Sequence, residues 1–190
     1  MGFIQFVKGQ IKTIKRLDPS LHSTVEIFFM PGFKALNTHY FTHKLYPKHP
    51  ALARILSLRA QRKTGIDIHP GAVIGKDVFI DHGSGVVIGE TCVIHDRVMI
   101  YQGVTLGATG KVSGKRHPTV EEDVVIGAGS KVIGNIVLHK GCKIGAGSII
   151  IKSVEPYTTM IPSPAYPVRE QKEINNTLAQ LRNEHKELGH

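Results

Sequence analysis

The sequence predicts a mainly β fold: a solenoid of short parallel strands with a small helical cap before it and a helical tail after it. Three observations carry that prediction. From residue 68 onward large aliphatic residues recur every six positions, small or β-branched residues follow them four positions later, and the flanking segments show helical spacing instead.

The repeat decides the architecture. Aliphatic anchors stand at Ile68, Ile74 and Ile80, and after a slip of two residues they resume at Ile88, Ile94, Ile100 and Leu106. A second series runs Val120, Ile126, Val132, Leu138, Ile144 and Ile150. Four residues behind the anchors come Ala72, Val78, Ser84, Cys92, Val98 and Val104, then Val124, Ser130, Ile136, Cys142, Ser148 and Val154. A period of six fits neither a helical turn of 3.6 residues nor the two-residue alternation of one amphipathic strand, but it fits flat strands separated by sharp corners. Three such strands close a triangular coil, and stacked coils pair at about 4.8 Å, so the anchors line up as interior ladders. Gly75, Gly89, Gly127 and Gly145 directly follow anchors, where a tight corner benefits from lacking a Cβ. Thirteen anchors imply about four coils.

Outside the repeat the spacing changes. Phe3, Val7, Ile11 and Ile14 fall close to helical intervals before Asp18-Pro19-Ser20 interrupts them. A second helix is predicted from Phe33, Leu36, Tyr40 and Lys44 after Pro31-Gly32, and a third over 51–62, so residues 1–64 read as the cap. Residues 65–155 form the solenoid, with a loop inserted over 107–119. In the remaining segment, 156–190, Pro156, Pro162, Pro164 and Pro167 break regular structure, and Ile174, Leu178, Leu181 and Leu188 then make one stripe of a helix.

Composition narrows the function. The 190 residues suffice for a buried core, and the two cysteines, Cys92 and Cys142, fill small interior slots, which suits a reducing cytoplasm better than a disulfide framework or a zinc site. The first residues hold too short an apolar run for a signal peptide, and nothing approaches the length of a membrane span. The net charge of +9 comes from lysines and arginines scattered along the chain, with no Trp and 6% aromatic residues, a poor platform for nucleic acid. A small polyphosphate ligand would use the same field.

A solenoid buries its anchors and exposes its corners, so chemistry belongs where the hexad is broken. One break is the slip in Asp81-His82-Gly83-Ser84-Gly85-Val86-Val87-Ile88-Gly89-Glu90-Thr91. The other is the excursion from Gly107-Ala108-Thr109-Gly110 to Gly114-Lys115-Arg116-His117-Pro118. Joined by Tyr101-Gln102-Gly103-Val104-Thr105-Leu106 and followed by Val124-Val125-Ile126-Gly127-Ala128-Gly129-Ser130, these stretches resemble the serine acetyltransferases. The similarity reaches upstream through Gly65-Ile66-Asp67-Ile68-His69-Pro70, Asp18-Pro19 and Gly32-Phe33-Lys34-Ala35-Leu36, covering about residues 16–155, and is to a short form of that family.

The resemblance implies a left-handed parallel β-helix and transfer of an acetyl group from acetyl-CoA to the hydroxyl of L-serine. That hydroxyl must lose its proton as it attacks, and His82 is the candidate base because an imidazole titrates in the useful range. By resemblance Asp67 is the carboxylate that orients it. Asp81, beside the base, and Asp18 would take the substrate ammonium, while Arg116 offers a fork for its carboxylate with His117 alongside. Coenzyme A would lie between neighbouring subunits of a homotrimer or a dimer of trimers, its pantetheine arm on the backbone near Gly107, Ala108 and Ala128 and its phosphates toward Lys143, with no metal. L-Cysteine, sharing the ammonium and carboxylate, would compete with serine.

The departures from the family pattern also carry expectations. Ala108 stands where the family has a second Gly, and Ile161-Pro162-Ser163-Pro164-Ala165-Tyr166 replaces its usual Gly-x-Pro-Ala segment. The last residue is His190 rather than isoleucine, so no tail-mediated complex with O-acetylserine sulfhydrylase is expected. One rival reading is a γ-type carbonic anhydrase, invited by His82, His95, His117 and His139 but lacking a His-x-x-x-x-His pair in the solenoid. Others are an acetyltransferase for a sugar or other hydroxyl acceptor and a scaffold without catalysis. For His69, His95 and His139 the ordinary reading is turn chemistry.

Overall fold

The fold is taken from a computed structural model that describes residues 2–110 and 113–163. Four helices come first: α1 (Phe3–Leu17), α2 (Thr24–Ile27), α3 (Pro31–Leu45) and α4 (Pro50–Thr64). α3 and α4 begin on Pro31 and Pro50, where a missing N–H costs nothing. α4 stops at Gly65, whose left-handed backbone (φ 73°) lets its N–H close on Gln61 O at 2.8 Å. The single turn of α2 is capped by Ser23, which accepts from Val25 N; four residues are too few for periodicity to announce.

Fourteen short strands follow among the described residues. They are β1 (Asp67–Ile68), β2 (Val73–Ile74), β3 (Phe79–Ile80), β4 (Val87–Ile88), β5 (Val93–Ile94), β6 (Met99–Ile100) and β7 (Thr105–Gly107), then β8 (Thr119–Val120), β9 (Val125–Ile126), β10 (Lys131–Ile133), β11 (Val137–Leu138), β12 (Lys143–Ile144), β13 (Ile149–Ile150) and β14 (Thr159–Met160). Every anchor is the second residue of its strand, and all but the half-buried Ile74 are buried. Successive strands join three parallel sheets in rotation: β1-β4-β7-β10-β13 makes face 1, β2-β5-β8-β11 face 2, and β3-β6-β9-β12-β14 face 3.

Both breaks in the hexad leave the ladders intact. Val87 pairs with Thr105, one 18-residue coil on, while Asp67 pairs with Val87 across the slip and Thr105 with Lys131 across the loop. The extra residues bulge out at corners instead. At the slip this moves the interior slot: Ser84 is exposed, and Val86 is fully buried in its place. Face 3 also continues past residue 155, because Lys143 pairs with Thr159. Pro156 lies outside these strands, so its missing N–H costs the ladder no bond. The helix expected over 170–188 lies outside the described residues.

The cap plugs the open end of the solenoid. Phe6, Ala35 and Leu36 share one core with Ile66, Ile68, Ala72, Val78 and Ile80. α3 starts hard against the first rung of face 3, since a Cβ on Gly32 would lie 2.1 Å from Ile80 O. That contact sets the cap beside the corner holding Asp81 and His82. Among the described residues no helix is long and apolar enough to cross a membrane.

Candidate active site

Two edges of face 1 hold the singled-out residues. Where face 3 turns back into face 1, Asp81 N donates to Ile100 O and Gly83 N to Asp81 O, and His82 takes a left-handed backbone (φ 55°) between them. Such a conformation is uncommon outside Gly, and here it turns an exposed imidazole out of the corner. A cleft of about 260 Å³ opens there, lined by Asp18, Asp81 and His82 with Ser20, Met30, Pro31, Gly32 and Ile80. Asp18 does serve as a turn residue, its Oδ1 accepting from Ser20 N at 2.9 Å and Ser20 Oγ at 2.6 Å. Its Oδ2 and the side chains of Asp81 and His82 make no hydrogen bond among the described residues. Two carboxylates and an imidazole with no Lys or Arg in the lining suit a cationic ligand group.

Further along the same edge, Ala128 sits between Gly127 and Gly129. A Cβ on Gly127 would lie 2.6 Å from Ala146 N, so the next coil presses directly on this one. Lys143 stands exposed at the start of β12 on face 3.

The opposite edge, between faces 1 and 2, carries Arg116 and His117. The inserted loop leaves β7 through Gly107 and Ala108 and is tethered firmly where it returns. Arg116 Nη2 donates to Glu90 Oε2 at 2.5 Å, and Tyr46 OH donates to Glu90 Oε1 at 3.0 Å. Those two hydrogen bonds, Arg116 first, hold the Glu90 carboxyl below its usual range. Thr91 Oγ1 accepts from Arg116 N at 3.0 Å and His117 N at 3.1 Å and lies 2.9 Å from His117 Nδ1. Lys115 Nζ donates to the carbonyls of Thr91, His117 and Pro118. His117 is buried, and that burial, reinforced by Arg116 and Lys115, lowers its pKa.

The structure therefore brings Asp18, Asp81 and His82 together and leaves Arg116 and His117 across face 1 from them. Gly107 and Ala108 are parted from Ala128 and Lys143 in the same way. Asp67, which the resemblance pairs with His82, meets a cap residue in this structure. Its Oδ1 accepts from Arg54 Nη1 at 3.1 Å, and it makes no hydrogen bond to His82. The reason is electrostatic: α4 places a guanidinium beside the carboxylate, whereas the His82 ring lines the cleft with Asp18. Four members of this surface carry no assignment from sequence. Glu90 and Thr91 lie inside the matched slip motif, which is signal enough to have found them; Tyr46 and Arg54 sit in the cap, where no repeat marks them. Among the described residues no three His, Cys, Asp or Glu side chains converge as a metal site requires.

Comparison with known proteins decides the family. The profile described as Bacterial transferase hexapeptide (six repeats) matches residues 117–152. A serine acetyltransferase of Staphylococcus epidermidis is 48% identical over 167 residues, spanning 87% of this chain and 78% of its own. The chain belongs to the serine acetyltransferase family. The crystal structure of the serine acetyltransferase from Brucella abortus strain S19 in complex with coenzyme A matches with a TM-score of 0.82 at 39% identity, covering 87% of this chain and 67% of that one. That of Neisseria gonorrhoeae in complex with serine matches at 0.80 and 36%, covering 87% and 68%. The solenoid is accordingly the left-handed parallel β-helix of the serine acetyltransferases.

Proposed function

We propose that the chain transfers the acetyl group of acetyl-CoA to the hydroxyl of L-serine, giving O-acetylserine and coenzyme A for cysteine biosynthesis in the cytoplasm. The observation that carries this reading is the cleft where His82 faces two carboxylates, Asp18 and Asp81, with no cation among its lining residues. An amino acid would lay its ammonium on that pair. Its hydroxyl would then give its proton to His82 as it attacks the thioester carbonyl. The relatives solved with serine and with coenzyme A support the same pair of substrates.

A carboxylate needs Arg116 and His117, which stand on the other edge of face 1. Three chains packed with face 1 toward a common axis would set the Asp81–His82 edge of one against the Arg116–His117 edge of the next, so a homotrimer completes three shared sites. The same packing would oppose Gly107 and Ala108 of one chain to Ala128 of its neighbour, a groove of small residues for the pantetheine arm, with Lys143 toward the phosphates. Asp67 remains the proposed orienting carboxylate for His82. Its Oδ1 is held by Arg54, while its Oδ2 accepts no hydrogen bond among the described residues. L-Cysteine would compete for the serine clamp.

Thiol release from acetyl-CoA, measured against a panel of hydroxyl acceptors, tests the reading. L-Serine should be turned over with a kcat/KM well above that of sugars and other alcohols. Preference for a sugar acceptor, or no turnover with any acceptor, would overturn it.

A further inference from the structure

We propose that Thr91 is a positioning residue that holds His117 as a neutral imidazole with its proton on Nε2, so that this nitrogen offers an N–H to the acceptor's carboxylate beside Arg116. The inference rests on the serine reading of the site and names a residue which that reading leaves unassigned.

The hydrogen bonds around Thr91 force the tautomer. Its backbone N–H lies 3.2 Å from His117 Nδ1, and a backbone N–H can only donate. Its hydroxyl oxygen already accepts from the backbone N–H groups of Arg116 and His117, so the hydrogen it carries is free to turn to Nδ1 at 2.9 Å. Two donors converging on one ring nitrogen require a lone pair there. The ring proton must then sit on Nε2, the reverse of a histidine whose Nδ1 donates to a carbonyl.

The surroundings keep the ring uncharged. Burial opposes protonation most, Arg116, Lys115 and His69 add to it, and only Glu90 opposes them. An imidazolium would also need a proton on Nδ1, where Thr91 points two donors. Nε2 makes no hydrogen bond among the described residues and lies over Gly89, where the missing Cβ leaves room for it. One side chain thus fixes the backbone of the Arg116–His117 pair and the face that the histidine shows to a ligand. A carboxylate docking on the Arg116 fork would meet a ready donor at its second oxygen.

The test combines a spectroscopic readout with kinetics on the full-length protein. Long-range ¹H–¹⁵N histidine spectra at pH 7.5 should show wild-type His117 neutral with its proton on Nε2. Thr91→Val, which keeps only the 3.2 Å backbone donor, should let the Nδ1-protonated tautomer gain population and raise the KM for serine about tenfold, the loss of one hydrogen bond to a charged group, with the KM for acetyl-CoA within about twofold of wild type. Thr91→Ser keeps both donors and should restore both readouts. A wild-type His117 carrying its proton on Nδ1, or an unchanged serine KM in Thr91→Val, would overturn the proposal. If the wild type does not acetylate serine yet shows an Nε2 proton whose population falls in Thr91→Val, the serine reading falls while the tautomer assignment stands.

Discussion

His117 occupies the space that a side chain at position 89 would need: a Cβ on Gly89 would lie 2.0 Å from His117 Cδ2 and 2.1 Å from Nε2. The glycine serves close approach here, since its backbone does not enter the left-handed region. Gly89→Ala should therefore displace the ring while the backbone bond from Gly89 N to Leu106 O keeps the coil paired. Initial-rate kinetics should show a serine KM raised about tenfold or more, the scale of a lost charge-assisted hydrogen bond, with unchanged far-ultraviolet circular dichroism. A normal KM would mean that His117 does not touch the acceptor.

Arg116 should bind serine and cysteine through the same fork. Arg116→Ala is expected to raise the serine KM and the inhibition constant of L-cysteine in parallel, by about 10- to 100-fold for hydrogen bonds to a charged group. The tether to Glu90 should persist through neutral and mildly acidic pH. Because the Glu90 pKa is lowered in the fold, its contribution is complete above the ordinary carboxylate value and is lost as pH falls through the lowered one. Glu90→Gln, which removes the charge, should raise the serine KM at pH 7.5, while the wild-type KM should stay flat between pH 7 and 6; a wild-type rise in that window would contradict this.

His39 should make the cap acid-sensitive. It is buried on α3 with no hydrogen bond to Nδ1 among the described residues, and burial, then the neighbouring His43, pushes its pKa down to about 3. The unfolded chain takes up this proton near pH 6.5 and the folded chain does not, so stability is complete above that value and declines as pH falls toward 3. The slope is on the order of 1.4 kcal/mol per pH unit for one proton. Between pH 7.5 and 5 the wild-type Tm should fall further than that of His39→Gln, and equal falls would refute the assignment.

How much of this was legible depends on what each residue answers to. The anchors from Ile68 to Ile150 answer only to the six-residue repeat, so spacing alone places them on strands and, except for the half-buried Ile74, in the core. Ser84 departs because a two-residue slip hands its slot to Val86, and spacing cannot tell which residue the corner will expel. Asp81 and His82 are readable for the same reason in reverse, since they stand at the slip that breaks the repeat, Asp81 half-buried and His82 exposed. Asp67 shows the limit. Its contact with Arg54 joins the cap to the first rung, and a pairing between an aperiodic helix and a solenoid has no signature in either pattern.

The cysteines should be inert. Burial pushes the thiol of Cys92 up to about 12 and that of Cys142 up to about 11, leaving almost no thiolate at neutral pH. Iodoacetamide at pH 7.5 should label neither in the native protein and both in denaturant, with full activity retained after native treatment. Labelling of either native thiol with loss of turnover would implicate it in the site.

With both thiols buried, the acetyl group should pass directly from acetyl-CoA to serine, and both substrates must then be bound at once. Steady-state rates with both varied should give intersecting double-reciprocal lines, because no acetyl-enzyme forms and coenzyme A does not leave before serine binds. His82→Ala should lower kcat by about 10²- to 10⁴-fold, the range for losing a positioned proton acceptor, while coenzyme A still binds. Asp81→Ala should act mainly on the serine KM, since the proposed role of its carboxylate is to hold the ammonium and not the reacting hydroxyl. Asp67→Asn should lower kcat if the carboxylate stabilises the imidazolium as it forms. Arg54→Ala separates that role from cap anchoring, for it removes the competing guanidinium and should leave kcat at or above the wild-type value once folding is verified. Parallel lines, or near-wild-type turnover in His82→Ala, would rule the direct mechanism out.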